Sequence, residues 1–345
     1  MYYILNERDG KEVFDSRVNT ATSNYVVNQL NLDEPAVHFS IHEPTVMIGR
    51  YQNAFAEVDQ QYLEEQGIHL LRRLSGGGAV YHDLGNIMFM LTGPNHGAGQ
   101  KHFAEYSKPL LEAITSLGVP EVHASGRNDL QIKQQKFSGT SFYSTKERFM
   151  FGATISYNLD REVARKVLKP NKKKLQAHRT KSIQSRITNV KDHLPSPYNQ
   201  WSTSEFRDYL VCSLFGVEEL SEVKIYRLTD QDWAKIDVLV DEKFKNDAWN
   251  WGNRSDFKLH HRQRFKQGTF DFYADVEKGK IVRCSLYGDF FAKQELHAIT
   301  NVLIGKSFQP KAIQTALADV QLMNYIDDLT EEQLLTLIFK EDEEK

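Results

Sequence analysis

Two cysteines in 345 residues, Cys212 and Cys284, are too few and too far apart for a disulfide framework or a metal-type cluster. Both read as reduced thiols, and Cys212 falls in a helix predicted over residues 208–215, a poor place for a nucleophile. An excess of positive charge is also lacking. Lysine and arginine number 43 against 46 acidic residues, a net charge of −3, so a general affinity for nucleic acid is excluded. No uninterrupted apolar run approaches the roughly 20 residues of a membrane span. The run Met1-Tyr2-Tyr3-Ile4-Leu5-Asn6-Glu7-Arg8 meets charge too early for a secretory signal, so the expectation is a cytoplasmic protein without a membrane partner.

What is present describes an ordinary globular protein, 40% hydrophobic and 26% charged, long enough for a large domain and a smaller one. Strands are predicted at 2–5, 36–39, 45–48, 68–72, 87–91, 129–132, 136–137 and 149–158, and helices at 16–30, 58–66, 103–117 and 162–168. They mix without a regular βαβ repeat, which predicts an α+β fold with a mixed sheet. The texture changes near residue 250. Residues 249–255 read as a linker between a domain at 1–248 and a smaller α+β domain at 256–345. That second domain opens with runs at 268–274 and 280–286, joined by the hairpin signal Glu277-Lys278-Gly279. Helices are expected after it at 291–303, 311–318 and 330–339.

Three segments carry candidate chemistry. The longest is Arg72-Arg73-Leu74-Ser75-Gly76-Gly77-Gly78-Ala79-Val80-Tyr81-His82-Asp83-Leu84-Gly85-Asn86. Consecutive glycines allow several backbone N–H groups to face one phosphate or carboxylate, and arginine offers a permanent forked donor to the same anion. A flexible turn beside a surface charge pair has the same composition, so the run does not decide alone. Gly126-Arg127-Asn128-Asp129 ends in two short polar side chains suited to a metal or hydroxyl. Lys136-Phe137-Ser138-Gly139 follows a polar turn.

Taken together and in order, these segments resemble the lipoate–protein ligase family, a branch of the biotin and lipoyl attachment enzymes. Further matches are Glu43-Pro44-Thr45-Val46-Met47-Ile48-Gly49-Arg50 with Gln52-Asn53, Lys172-Lys173-Lys174-Leu175, Ser185-Arg186-Ile187-Thr188-Asn189 and Tyr287-Gly288-Asp289-Phe290-Phe291. The resemblance thus spans nearly the whole chain. It implies activation of lipoate by ATP to lipoyl-AMP, then transfer to a lysine of a lipoyl carrier domain. The carrier would be a 2-oxoacid dehydrogenase acyltransferase or a glycine-cleavage H protein. ATP, Mg²⁺ and lipoate are implied as substrates and cofactor, with no tightly bound prosthetic group. By position, Lys136 would be catalytic, and Arg73, Gly76, Gly77, Gly78, Ala79, Val80, Tyr81, Asn128 and Asp129 would join it around the nucleotide. Asp129 would also meet Mg²⁺. Ser75, His82, Asn86, Ser138, Gly139 and Thr154 would line the lipoate pocket, whereas Asp83 reads as a turn residue.

The chain departs from the family's pattern near the acyl site. Phe151-Gly152-Ala153-Thr154 replaces a usual His-His-Gly-Thr, Met88 replaces a smaller residue and Ser40 an aromatic one. Ala177-His178-Arg179-Thr180 and Gln184 differ as well. A biotin-type loop is absent. Two other readings follow: a carrier-selective lipoyl or octanoyl transferase paralogue, and a non-catalytic carrier-binding protein of the same fold.

Overall fold

The computed structural model describes residues 1–97, 99, 102–126, 128–168, 187–252 and 256–340. They fall into two compact α+β units. The first comprises residues 1–47, 55–73 and 79–251, and the second residues 48–54, 74–78 and the chain from Gly252 onward. Among the described residues no helix is long and apolar enough to cross a membrane.

A mixed eight-stranded sheet centres the first unit, in the order Ile225–Tyr226, Tyr2–Ile4, Ala36–Ile41, Asn86–Pro94, Arg148–Ser156, Gln135–Ser144, Asp129–Ile132 and Val122–Ser125. Tyr2–Ile4 pairs in parallel with both its neighbours, and the remaining pairs are antiparallel. Alternation along each strand divides the side chains between two faces. Phe39, Ile87, Phe89, Phe151, Ala153 and Ile155 turn one way. They share a core with Leu110, Ala113 and Ile114 of helix Phe103–Ser116 and with Phe206, Leu210 and Val211 of helix Thr203–Phe215. Burying each such phenylalanine contributes roughly 1.5–3 kcal/mol.

On a second core, Ala21, Tyr25 and Val26 of helix Ser16–Asn28 pack with Ile4, Ala36, Trp233 and Ile236. Asp15 starts that helix by accepting from the backbone N–H groups of Arg17 and Val18, which would otherwise lack partners. A small sheet, in the order His69–Arg72, Thr45–Ile48 and Val80–His82, sets Thr45 opposite His82 and Met47 opposite Val80. It delivers Arg73 and His82 to the candidate site.

The second unit holds an antiparallel sheet of Leu259–Phe265, Gly268–Glu277 and Lys280–Gly288. Phe270, Phe272, Ile281 and Phe290 pack with Ile299, Ile313, Leu317, Leu334 and Leu337. The expected hairpin is present, with Lys278 and Gly279 both at positive φ, as a tight two-residue turn requires. The helix expected over 291–303 is reduced to His297–Asn301. Lys293 explains part of the loss: its N–H donates to the Tyr325 carbonyl at 2.7 Å and its ammonium pairs with Asp327, which holds this stretch off a helical path.

Candidate active site

Lys136 lies near the start of strand Gln135–Ser144, and its ammonium is 2.6 Å from Asp129 Oδ1. Strand pairing makes that meeting possible. Asp129 stands opposite Gly139 and Gln131 opposite Lys136, with an irregularity between Leu130 and Gln131 that shifts the register. The lysine then arches over Gly139. A Cβ placed there would lie 3.1 Å from Lys136 Nζ, 3.3 Å from its Cε and 3.9 Å from Thr154 Oγ1. Gly139 is therefore the slot through which the lysine passes, and its own N–H donates to Thr154 Oγ1 at 3.1 Å. Thr188 N–H donates to the Lys136 carbonyl at 2.9 Å and holds the strand from its other side.

Asn128 and Asp129 divide their work. Asn128 Nδ2 donates to the Thr140 carbonyl at 3.3 Å, and its own carbonyl accepts from Thr140 N–H at 2.8 Å. Ser138 stands opposite Leu130, on the alternate face from Gly139, and is buried. The register shift, which leaves Phe137 unpaired between Lys136 and Ser138, puts Ser138 on the face opposite Lys136 and Gly139, away from the lipoate pocket it was expected to line.

A second polar group of the first unit is buried. Asn86 Nδ2 donates to His82 Nδ1 at 2.6 Å, which leaves the His82 proton on Nε2 in the neutral ring. Ser40 Oγ lies 3.0 Å from His42 Nε2, and the His42 and His82 rings are 5.1 Å apart. His82 Nε2, His42 Nδ1 and Asn86 Oδ1 are buried without a hydrogen-bond partner among the described residues. Such groups cost stability unless something polar meets them, which marks this cluster as a place for a ligand or water. His42 was missed in the sequence, although His38-Phe39-Ser40-Ile41-His42 alternates polar and apolar residues along a buried strand.

Arginine at positions 72 and 73 serves two purposes. Arg72 Nε donates to the Trp249 carbonyl at 2.9 Å, its Nη2 to the Asn250 carbonyl at 3.1 Å, and Trp249 Nε1 returns a bond to the Arg72 carbonyl. It is a structural tie, so the pair does not act as one anion site. Arg73 Nη1 donates to the Met47 carbonyl at 3.0 Å. Burial, helped by the Arg72 charge, lowers Arg73 to about 10, and it stays cationic at neutral pH. Asp83 accepts from Gly85 N–H at 2.8 Å and from Asp160 N–H at 2.9 Å, which makes it the turn residue it was read as.

Ser75, Gly76, Gly77 and Gly78 belong to the second unit. A Cβ at Gly76 would overlap the Phe290 carbonyl oxygen, and one at Gly49 would overlap the Gly77 carbonyl. Gly77 has φ +95°, and its N–H donates to Phe290 at 3.4 Å. Arg50 N–H donates to the Ser75 carbonyl at 2.9 Å. Only Gly78 of the triplet has an ordinary φ, solvent exposure and nothing within 4 Å of an added Cβ. Ala79, Val80 and Tyr81 return to the first unit, where Val80–His82 is a strand and Tyr81 is buried. Arg127, Lys172 to Lys174, Ala177 to Thr180 (with Arg179) and Gln184 to Arg186 lie outside the described residues.

The buried histidines predict a pH dependence of stability. Burial, with the Arg73 charge adding to it, pushes His82 down to about 3, and burial pushes His38 down to about 4. His42 lies well below its ordinary 6.5, through burial first and then its histidine neighbours. All three folded values lie below the unfolded one, so unfolding takes up protons and stability falls as pH drops below about 6.5. Three such groups give a slope of about 4 kcal/mol per pH unit near pH 5. Urea unfolding should lose about 1 kcal/mol from pH 7.5 to 6.5 and about 3 kcal/mol from pH 6.5 to 5.5, and His82→Gln should reduce both losses by about a third. A slope identical in the two proteins would mean that His82 is protonated in the folded state.

The first unit thus holds a paired lysine, a half-buried arginine and a neutral histidine pair, groups suited to stabilising anions rather than to attacking as a nucleophile. The description "Lipoyl protein ligase A/B catalytic domain" matches residues 15–215, and "Bacterial lipoate protein ligase C-terminus" matches residues 254–338. A lipoate-protein ligase of Bacillus subtilis is 35% identical, covering 96% of this chain and 99% of its own. A lipoate–protein ligase of Streptococcus pyogenes is 37% identical over 98% of this chain and all of its own. The crystal structure of Plasmodium falciparum LipL1 in complex with lipoate shares the fold with a TM-score of 0.74 at 19% identity, covering 97% of this chain and 96% of that one. The chain belongs to the lipoate–protein ligase family.

Proposed function

We propose that this chain is an ATP-dependent lipoate–protein ligase that works through lipoyl-AMP. In the first step a lipoate carboxylate oxygen attacks the α-phosphorus of ATP, a P–O bond forms and pyrophosphate leaves. In the second, the ε-amine of a carrier lysine attacks the acyl carbon, an amide forms and AMP leaves. The mixed anhydride is already activated, so no covalent enzyme intermediate is needed. Positioning and charge stabilisation are the protein's part.

The observation that carries this reading is Lys136 Nζ, held at Asp129 above Gly139, on the side of the sheet that Thr154 also faces. An ammonium there opposes charge that develops on the acyl oxygen and on the α-phosphate in both steps. Arg73 and Gly76 to Tyr81 are assigned to the nucleotide, and His82, Asn86, Gly139 and Thr154 to the lipoate end. Asn128 and Asp129 offer oxygen donors of the kind Mg²⁺ takes, and the Asn128 bond to Thr140 uses its nitrogen and leaves Oδ1 for that purpose. Mg²⁺ bound there supplies positive charge against the phosphates.

The partners are lipoyl carrier domains, and carrier choice is expected to be narrower than acyl choice, because a mismatched surface charge excludes a partner more strongly than a small apolar change. The test offers lipoate and octanoate with ATP and Mg²⁺, each with an H protein and with isolated dehydrogenase lipoyl domains. Pyrophosphate release and a carrier gel shift are the measurements. Modification of one carrier class at about tenfold or more the rate of the other is the expected result. Carrier binding without any pyrophosphate release would place the chain among non-catalytic relatives.

A further inference from the structure

Three of the six methionines stand on one face of the first unit's sheet. Met88 lies opposite Thr154, Met90 opposite Gly152 and Met150 opposite Thr92. Alternation turns all three away from the core that holds Phe89 and Phe151, toward the face of Thr154 and Lys136. Met88 and Met150 are buried, and Met90 keeps partial exposure.

This wall has a notch. A Cβ at Gly152 would stand 2.9 Å from Met90 Sδ, 3.1 Å from Ser141 Oγ and 3.5 Å from Met90 Cε. Gly152 is not among the positive-φ glycines, so its backbone does not demand the missing side chain. The demand comes from the thioether, which occupies the room that a side chain at 152 would fill.

We infer that Met90 and Gly152 seat the ring-bearing end of the acyl chain, with Met90 as the residue whose freedom to move makes room for the cyclic disulfide. The inference rests on the ligase reading and deepens it. Thr154 and Gly152 are two residues apart along a strand, about 7 Å, a distance spanned by about five methylene groups. A carboxylate held at Lys136 therefore brings the carbon where lipoate begins to close its ring level with the notch. Octanoate is still a thin chain at that point. Methionine is unbranched and changes rotamer at little cost, so Met90 yields to the ring and closes behind a straight chain. A stiff side chain in its place loses that freedom.

Met90→Ile puts a β-branched residue with few rotamers at the wall, and Gly152→Ala sets a methyl against the sulfur. The measurement is kcat/KM for lipoate and for octanoate, read as pyrophosphate release. In both variants the lipoate-to-octanoate ratio is expected to fall about tenfold or more, the scale of a small steric change in an apolar pocket. A ratio within about twofold of the wild type in folded variants overturns the inference while the ligase reading stands. A wild-type protein that releases no pyrophosphate with either acid overturns both. Should the variants fail to fold, the wild-type protein decides by methyl NMR without ATP. With ¹³C-labelled methionine, the Met90 Cε signal, assigned by its loss in Met90→Leu, should move with lipoate and less with octanoate. Equal shifts with the two acids, or none with lipoate, would overturn the role given to Met90.

Discussion

Lys136→Ala is expected to slow pyrophosphate release by about a hundredfold or more, the usual cost of removing a charge aimed at a transition state. The fold should survive. The lysine and Asp129 side chains are 36% and 34% exposed, and an ion pair so open to water contributes at most about 1 kcal/mol. Two companions sharpen the result. Gly139→Ala leaves the ammonium in place chemically but sets a methyl 3.1 Å from Nζ, so it should lower kcat by displacing the charge. Asp129→Asn keeps the lysine and removes its ion-pair partner, and its loss should grow as Mg²⁺ is lowered. Near-normal pyrophosphate release from a folded Lys136→Ala protein would end the assignment of this lysine.

Local order was legible where one residue's chemistry sufficed. The helix predicted over 16–30 is Ser16–Asn28, with its cap one residue earlier, and the helix predicted over 103–117 is Phe103–Ser116. Strand Leu259–Phe265 was invisible because its outward positions are His260, Arg262 and Arg264. Its inward His261 is buried and hydrogen-bonds at 2.8 Å to the Ile338 carbonyl, a partner 77 residues away. Helix Asp230–Leu239 carries only a faint apolar stripe, and its clearest signal was the capping pair Thr229 and Asp232. The motif reading named Lys136, Asp129, Gly139 and Thr154, yet could not show that the lysine runs over Gly139. That depends on a register shift at Leu130 and Gln131, and strand register is a property of pairing partners rather than of either strand. For the same reason Met90 was passed over: its meaning comes from Gly152, 62 positions later in sequence.

The glycine run should show the second large effect, and substitutions there should separate by position. At Gly76 and Gly49 an added carbon would overlap a backbone carbonyl, of Phe290 and of Gly77 respectively, and backbone cannot swing aside as a side-chain tip can. Gly76→Ala and Gly49→Ala are therefore expected to destabilise the second unit by about 3 kcal/mol each, at the upper end of overpacking costs. Gly77→Val meets a different obstacle. Its φ of +95° is unsuited to a β-branched residue, so it should lose stability and ATP-dependent activation together. Gly78→Val meets neither obstacle, since the backbone is ordinary there and the space is open. Its stability should stay within about 0.5 kcal/mol of wild type, as at an undemanding surface site. Activation by ATP should nevertheless be lost, because a valine side chain would keep a phosphate away from the backbone N–H groups of the run. Urea unfolding beside ATP titration distinguishes the two behaviours. If Gly78→Val kept its ATP affinity and turnover, the run would be glycine only to let Gly49, Gly77 and Phe290 approach, and the nucleotide would have to be bound elsewhere.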